Sequence, residues 1–349
     1  MQEKEREHLR LVIVTCLVAV FVVYSIHPYV VNYDTYSKDF LFHYYKSSEK
    51  QDVIIKELGV ANQVFSNENL VDYPPLVSWV FKPFSFNLSI FFLAVLMFSF
   101  VLFGLLLFFI TKHWVSALFW VSTSASWFFL QGSIAQGVFS FLFVLFVFSN
   151  WKYRLVLLFI GLLTHNHGFY LMFFYWVFDY LWHINWGLVL PGFCGGGLVE
   201  YSGNEVVVNP VVSEKGVNLN SMVNVFGQKG LTYTSWLSVV RWFSFFPLFL
   251  FAFYGLWKEN KEWFVFTVFL FVVCGLTLYW RAVESLVFFL VFGLTSYYKS
   301  SGRRMRWLLI VVSVLLFVLQ IFRYLSLIEN THLSLSGGFF ELPCWLFGF

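Results

Sequence analysis

Charge is scarce in this chain. Only 12% of its 349 residues are Asp, Glu, Lys or Arg, about half the share usual in a soluble protein. The apolar fraction is 59% and the mean hydropathy is +0.74. A soluble core of this size could not hide so much Phe, Leu and Val. In lipid the main demand is that backbone groups be satisfied within helices. The formal net charge of +3 is small, and no nucleic-acid partner is expected. Cysteine is also sparse, at four residues. Cys16 and Cys274 lie in apolar runs, and Cys194 and Cys344 lie near predicted segment ends. No pair has metal-ligand spacing and no disulfide framework emerges; the sequence as a whole offers no convincing metal-ligand set, and no cofactor is expected. Internal repeats, low-complexity tracts and soluble-domain boundaries are missing too. Residues 1–349 therefore read as a single integral membrane domain.

What is present is a series of long apolar runs. They fall at about 11–27, 87–111, 114–130, 133–149, 154–166, 168–182, 186–201, 237–256, 262–279, 282–297 and 307–327. Since ~20 apolar residues cross a bilayer, the sequence predicts an all-α polytopic protein with about 11 transmembrane helices. The runs after Arg154, Gly168 and Trp186 are short and suit broken or tilted helices. The first run follows MQEKEREHLR and leads into His27-Pro28-Tyr29, with no A-x-A-like cleavage site, so it reads as a retained helix. With the first ten residues in the cytoplasm, alternation puts Lys112, Lys152, Arg154, Lys258, Lys261, Lys299, Arg303, Arg304 and Arg306 in short cytoplasmic loops. That is the positive-inside pattern. Two long loops, about 28–86 and 202–236, then lie outside. Residues 51–65 suit a short amphipathic helix on that outer surface.

The outer face collects the candidate chemistry. Asp34, Asp39 and Asp72 are there, with Gln131, His165, His167 and Arg281 at outer span ends. Asp72-Tyr73-Pro74-Pro75 closes the first loop, and the two prolines fix backbone torsions where the chain returns to the membrane. Taken alone, Asp72 reads as a helix cap and Asp39 as a solvated carboxylate. His165 and His167 sit at i and i+2. On a helix they point to different faces, so phosphate or lipid-headgroup contact suits them better than metal ligation. Arg281 and Glu284, at i and i+3, form either a structural pair or an anion clamp. Lys229 lies between Gly227 and Gly230 in the second loop, with spacing unlike a P-loop. Asn87-Leu88-Ser89 matches a glycosylation acceptor, but its place at the start of a span argues against modification. Arg303-Arg304-Met305-Arg306 is explained by topology rather than by a ligand.

Asp39-Phe40, with Asp72-Tyr73-Pro74-Pro75-Leu76 some thirty residues on, resembles the first lumenal loop of GT-C glycosyltransferases. The closest likeness is to the dolichyl-phosphate-glucose glucosyltransferases of N-glycan precursor assembly, in which a Pro-Tyr segment, here Pro28-Tyr29, precedes the Asp. Phe129-Leu130-Gln131 resembles their His-Phe-Gln-Tyr-Asn segment, and Asn166-His167-Gly168-Phe169-Tyr170 resembles a Lys-His/Gln…Leu-Tyr segment. Phe226, Lys229-Gly230-Leu231 and Trp236 resemble Phe-Pro-x-x-Arg-Gly-Leu…Trp in the second large loop. Arg281 to Leu286 stands where the family has His-Glu-Lys-Ser-Ile-Leu, sharing the serine and the apolar tail. The family's Asp-His in the third-span segment has no counterpart.

The resemblance implies a GT-C-like enzyme that moves a hexose, glucose favoured, from a dolichyl- or polyprenyl-phosphate donor to a lipid-linked glycan with inversion. It implies Asp39 as general base, with Asp34 the alternative. His165, His167, Lys229 and Arg281 would contact the donor phosphate or lipid. Asp72, Tyr73, Pro74, Pro75, Gln131 and Glu284 would shape the loop or bind substrate. The implied membrane is the endoplasmic reticulum in a eukaryote or the plasma membrane in a prokaryote, with the active face lumenal or extracytoplasmic. Two other readings stay open: a polysaccharide polymerase using diphosphate-linked glycans, and a non-enzymatic transporter.

Overall fold

The computed structural model describes residues 3–30, 38–48, 75–131, 134–164, 166–183, 248–277 and 286–331. The apolar runs form helices, and no strand occurs among the described residues. Helix α1 is Glu3–Val30. The first loop carries α2, Lys38–Ser47, and α3, Leu76–Phe81. Helix α4 is continuous over Leu88–Thr111. Next come α5, Val115–Val121, α6, Ser124–Gln131, α7, Ile134–Phe148, α8, Trp151–Leu162, and α9, Asn166–His183. The last are α10, residues 248–259, α11, Lys261–Thr277, α12, Val287–Ser300, and α13, Arg303–Thr331.

Among the described residues, three helices are long and apolar enough to cross a membrane: Glu3–Ile26, Leu88–Thr111 and Arg303–Phe322. At 1.5 Å per residue, 24 residues reach about 36 Å, against a hydrocarbon core of about 30 Å. Their surroundings differ. The apolar stretch of α4 is 50% buried, that of α1 28% and that of α13 22%. Helix α4 is therefore internal, while α1 and α13 turn Phe21, Val14, Leu315 and Phe322 outward. Apolar stripes of this extent suit lipid rather than water.

The cationic turns meet at one end of the bundle. Lys112 pairs with Glu5 at 3.1 Å, and the Lys299 ammonium donates to the Thr111 carbonyl at 2.5 Å. The Ser296 hydroxyl donates to Glu259 at 2.8 Å. Beyond the turn at Asn260, Glu262 faces His183, in the same last turn as Asp179, which pairs with Arg154. This is the basic end. The opposite, loop end carries α2, α3 and the start of α4. Arg303, Arg304 and Arg306, predicted in a loop, belong instead to the first turn of α13, because only Ser301 and Gly302 separate it from α12.

The predicted span at 114–130 is not continuous either. It breaks between α5 and α6 at Ser122-Thr123. The hydroxyls of this Ser/Thr run compete for the backbone: Ser122 donates to Leu118 O at 2.7 Å, Thr123 to Trp120 O at 2.8 Å and Ser126 to Thr123 O at 2.9 Å. Such bonds satisfy a non-helical backbone away from water. Helix α4 has its own irregularity, a π-helical stretch over Met97–Leu102. There the Trp120 indole N–H donates to the Ser99 carbonyl at 2.6 Å, and the Trp120 ring stacks on Phe103 at 4.4 Å.

Close helix contacts rest on small residues. A Cβ on Gly255 would collide with the Gly293 carbonyl oxygen, and one on Gly293 with the Ala252 carbonyl. Helices α10 and α12 thus touch backbone to backbone, the usual solution where lipid supplies no hydrophobic drive between helices. Aromatic rings fill the space beside this seam: Phe251 stacks on Tyr297 at 5.0 Å, and Trp263 meets Phe292 edge-on at 4.9 Å. Gly293→Val should separate the two helices and abolish a monodisperse folded species in detergent size-exclusion chromatography. Gly302→Ala, where a Cβ meets nothing within 4 Å, should leave elution and thermal midpoint unchanged.

Candidate functional site

At the loop end, α2 is held by its apolar side. Phe40 is 1% exposed and meets Phe91 and Phe92 of α4 edge-on at 5.2 and 5.8 Å. Tyr44 packs on Phe91 at 5.4 Å. The Ser85 hydroxyl donates to the Ser47 carbonyl at 3.0 Å and so ties down the other end of α2. Helix α2 also packs against α3, α6 and α7. Pro75 lies just ahead of α3, and the Leu76 N–H donates to the Leu163 carbonyl at 2.9 Å. Segments distant in sequence thus meet here: helix α2 with Asp39, the chain at Pro75-Leu76, helix α6 ending at Gln131, and the chain at Leu163. Asp39 is the second residue of α2, Gln131 the last of α6 and His167 the second of α9. Asp34, Asp72, Tyr73, Pro74, His165, Lys229, Arg281 and Glu284 lie outside the described residues, as do the 51–65 segment and the second loop. Asn87 caps α4, its Oδ1 accepting from the Ser89 and Ile90 N–H groups at 2.8 and 3.4 Å. Its side chain thus has a structural task.

The basic end holds a polar network that sequence reasoning did not find. Arg154 was placed there only as a topological marker. Its Nε donates to the carbonyls of Phe146 and Ser149 at 3.2 and 3.1 Å, and its Nη2 to Val147 at 3.1 Å. The guanidinium therefore caps the C-terminus of α7, where carbonyls lack helical partners and the helix dipole favours a cation. Nη1 pairs with Asp179 on α9. The two side chains are 12% and 18% exposed. Beside them Trp263 Nε1 donates to the Tyr175 hydroxyl at 3.1 Å, and that hydroxyl donates to Glu262 at 3.4 Å. His183 Nε2 lies 3.8 Å from Asp179 Oδ1 and 3.9 Å from Glu262 Oε2. The ligand atoms of Asp179, His183 and Glu262 all lie within 4.8 Å of one another, a spacing that could hold a divalent ion. The legible signal was Asp179 itself, an acid ending an apolar run and calling for a partner.

A second polar cluster surrounds His113, in the turn between α4 and α5. Its Nδ1 accepts from the Val115 N–H at 3.3 Å, and its ring lies 4.6 Å from that of His8. Burial, with His8, Lys299, Lys4 and Arg306 around it, pushes the imidazole down from 6.5 to about 4. A neutral ring is what the accepted hydrogen bond requires.

Comparison with protein-family models, with curated proteins and with solved structures finds no match to this chain.

Removing Arg154 would leave a mostly buried carboxylate and three carbonyls without their donor. Arg154→Met should cost roughly 3 kcal/mol in reversible unfolding in mixed micelles, and Arg154→Met/Asp179→Leu should recover part of that loss. Because His113 is held below its unfolded value, protons bind the unfolded chain more readily. Its contribution to stability is complete above pH 6.5 and is lost as pH falls toward 4. The unfolding midpoint should therefore drop over that window, and less steeply in His113→Asn.

Proposed function

We propose that the chain is a GT-C-like integral membrane glycosyltransferase with about eleven spans. It moves a hexose from a polyprenyl- or dolichyl-phosphate to a lipid-linked glycan at the loop end. One observation carries this reading. Helix α2, which carries Asp39-Phe40, packs against α3, which follows Pro75, and against α6, which ends at Gln131, and the Leu76 N–H donates to the Leu163 carbonyl ahead of α9. Among them, α2 places Asp39 one residue before the buried anchor Phe40. A general base works only within hydrogen-bond reach of the proton it takes, so a helix anchored by packing suits the role.

In the proposed reaction an acceptor hydroxyl oxygen attacks the anomeric carbon. Asp39 takes the hydroxyl proton, and the bond to the lipid phosphate breaks with its electron pair on that phosphate. Attack from the opposite side inverts the centre. His165, His167, Lys229 and Arg281 are the proposed cations and donors for the leaving phosphate. Asp72, Tyr73, Pro74, Pro75, Gln131 and Glu284 would shape the acceptor side. By the positive-inside rule the basic end faces the cytoplasm and the loop end the lumen or exterior.

The test is to incubate purified protein with short-chain polyprenyl-phosphate sugars and lipid-linked glycan acceptors, and to follow mass gain. Transfer from one monophosphate donor should fall at least ~100-fold in Asp39→Asn. Activity retained in that variant but lost in Asp34→Asn would move the base to Asp34. Extension only from a diphosphate-linked glycan would make the protein a polymerase. Flux of unchanged substrate across sealed vesicles would make it a transporter.

A further inference from the structure

An open cavity of about 560 Å³ lies at the basic end, where α1, α4, α12 and α13 meet. Lys4, Lys112, Lys299 and Arg306 line it against one carboxylate, Glu5. Four cations beside one carboxylate give the cavity a positive potential that favours an anion. With His113 held neutral by burial and then by the surrounding cations, the cavity adds no charge there at pH 7.

Two of the cations are fixed in place. Arg306 donates through Nε to the Tyr298 carbonyl at 3.0 Å and through Nη2 to the Lys299 carbonyl at 2.6 Å. A guanidinium has five N–H donors, so this anchoring leaves others for a ligand. Lys299 is held by the Thr111 carbonyl at 2.5 Å. A fixed guanidinium fork flanked by ammonium groups matches tetrahedral phosphate oxygens.

The backbone at Lys112 gives an independent indication. Lys112 is the C-cap of α4 with φ 56°, the only non-glycine residue at positive φ among the described residues. Glycine is the common choice there, because a side chain in this region is strained. Its pair with Glu5 does not offset that strain, because the Lys112 side chain is 57% exposed and exposed pairs contribute little. A lysine at this position, exposed beside the cavity, fits a task beyond the pair with Glu5.

We propose that this cavity binds a phosphate monoester, carried by a membrane-lipid headgroup or by a soluble molecule, with Lys112, Lys299 and Arg306 as its principal cations. The site lies at the opposite end from the proposed transfer chemistry and does not depend on that reading. Its level, at the ends of α1, α4 and α13, is where anionic headgroups meet basic pockets between helices.

The test uses full-length protein in neutral maltoside micelles at 150 mM salt, with dioctanoyl phosphatidic acid and glycerol 3-phosphate as probes. Thermophoresis should show saturable binding. Lys112→Gly should weaken it at least tenfold with an unchanged or higher thermal midpoint, because the backbone prefers glycine. Lys299→Gln should weaken it similarly. Lys152→Gln, a cation of the same end outside the cavity, should leave it unchanged. Binding of phosphatidic acid alone identifies a lipid source, and equal binding of both probes identifies a soluble one. Absence of saturable binding by either probe, or equal weakening by Lys152→Gln and Lys112→Gly, overturns the proposal.

Discussion

Every amide and carbonyl of a helix placed in lipid needs a partner from the chain itself, and the irregular points of this fold are organised around that demand. Regular helical stretches meet it without help. At the π-helical stretch of α4 the Ser99 carbonyl is taken by the indole of Trp120. At the α5–α6 break, hydroxyls of Ser122, Thr123 and Ser126 take the carbonyls. At the end of α7 the Arg154 guanidinium takes three more. Side chains that look decorative in an apolar sequence are therefore the pieces that let the helices bend, stop and restart.

The same demand links stability to charge. Arg154 is positioned by carbonyls and then supplies the countercharge for Asp179, which sits beside Glu262 and His183. Arg306 is likewise positioned by carbonyls at the end of α12, and it then faces the basic cavity. In both places backbone capping has already ordered a long cationic side chain, so a further partner meets a preorganised donor. The loop end is built differently. There, aromatic packing of Phe40 and Tyr44 on Phe91 holds a short helix that could not persist alone.

The sequence and the structure place their emphasis at different ends. The motif resemblance points to the loop end, through Asp39, Pro74-Pro75, Gln131 and the His165-His167 segment. The described ion pairs lie at the basic end. The two views are compatible, because the proposed active site at the loop end and the proposed anion site at the basic end make separate demands on the chain.

What the sequence determined by itself was the helical class, the positions of most apolar helices and the gathering of Lys and Arg at alternate turns. These follow from local properties, namely run length, hydropathy and charge, each readable in a window of about 20 residues. Tertiary structure decided that 114–130 breaks in two at Ser122-Thr123. It decided that Arg154 reaches Asp179, twenty-five positions away. It decided that Gly255 and Gly293 mark a helix seam, that Phe40 anchors α2 on α4, and that Lys112, Lys299 and Arg306 share a cavity. Each of these depends on which helix lies beside which, and a uniformly apolar sequence carries almost no signal for that, because its lipid-facing and protein-facing sides are written in the same residues.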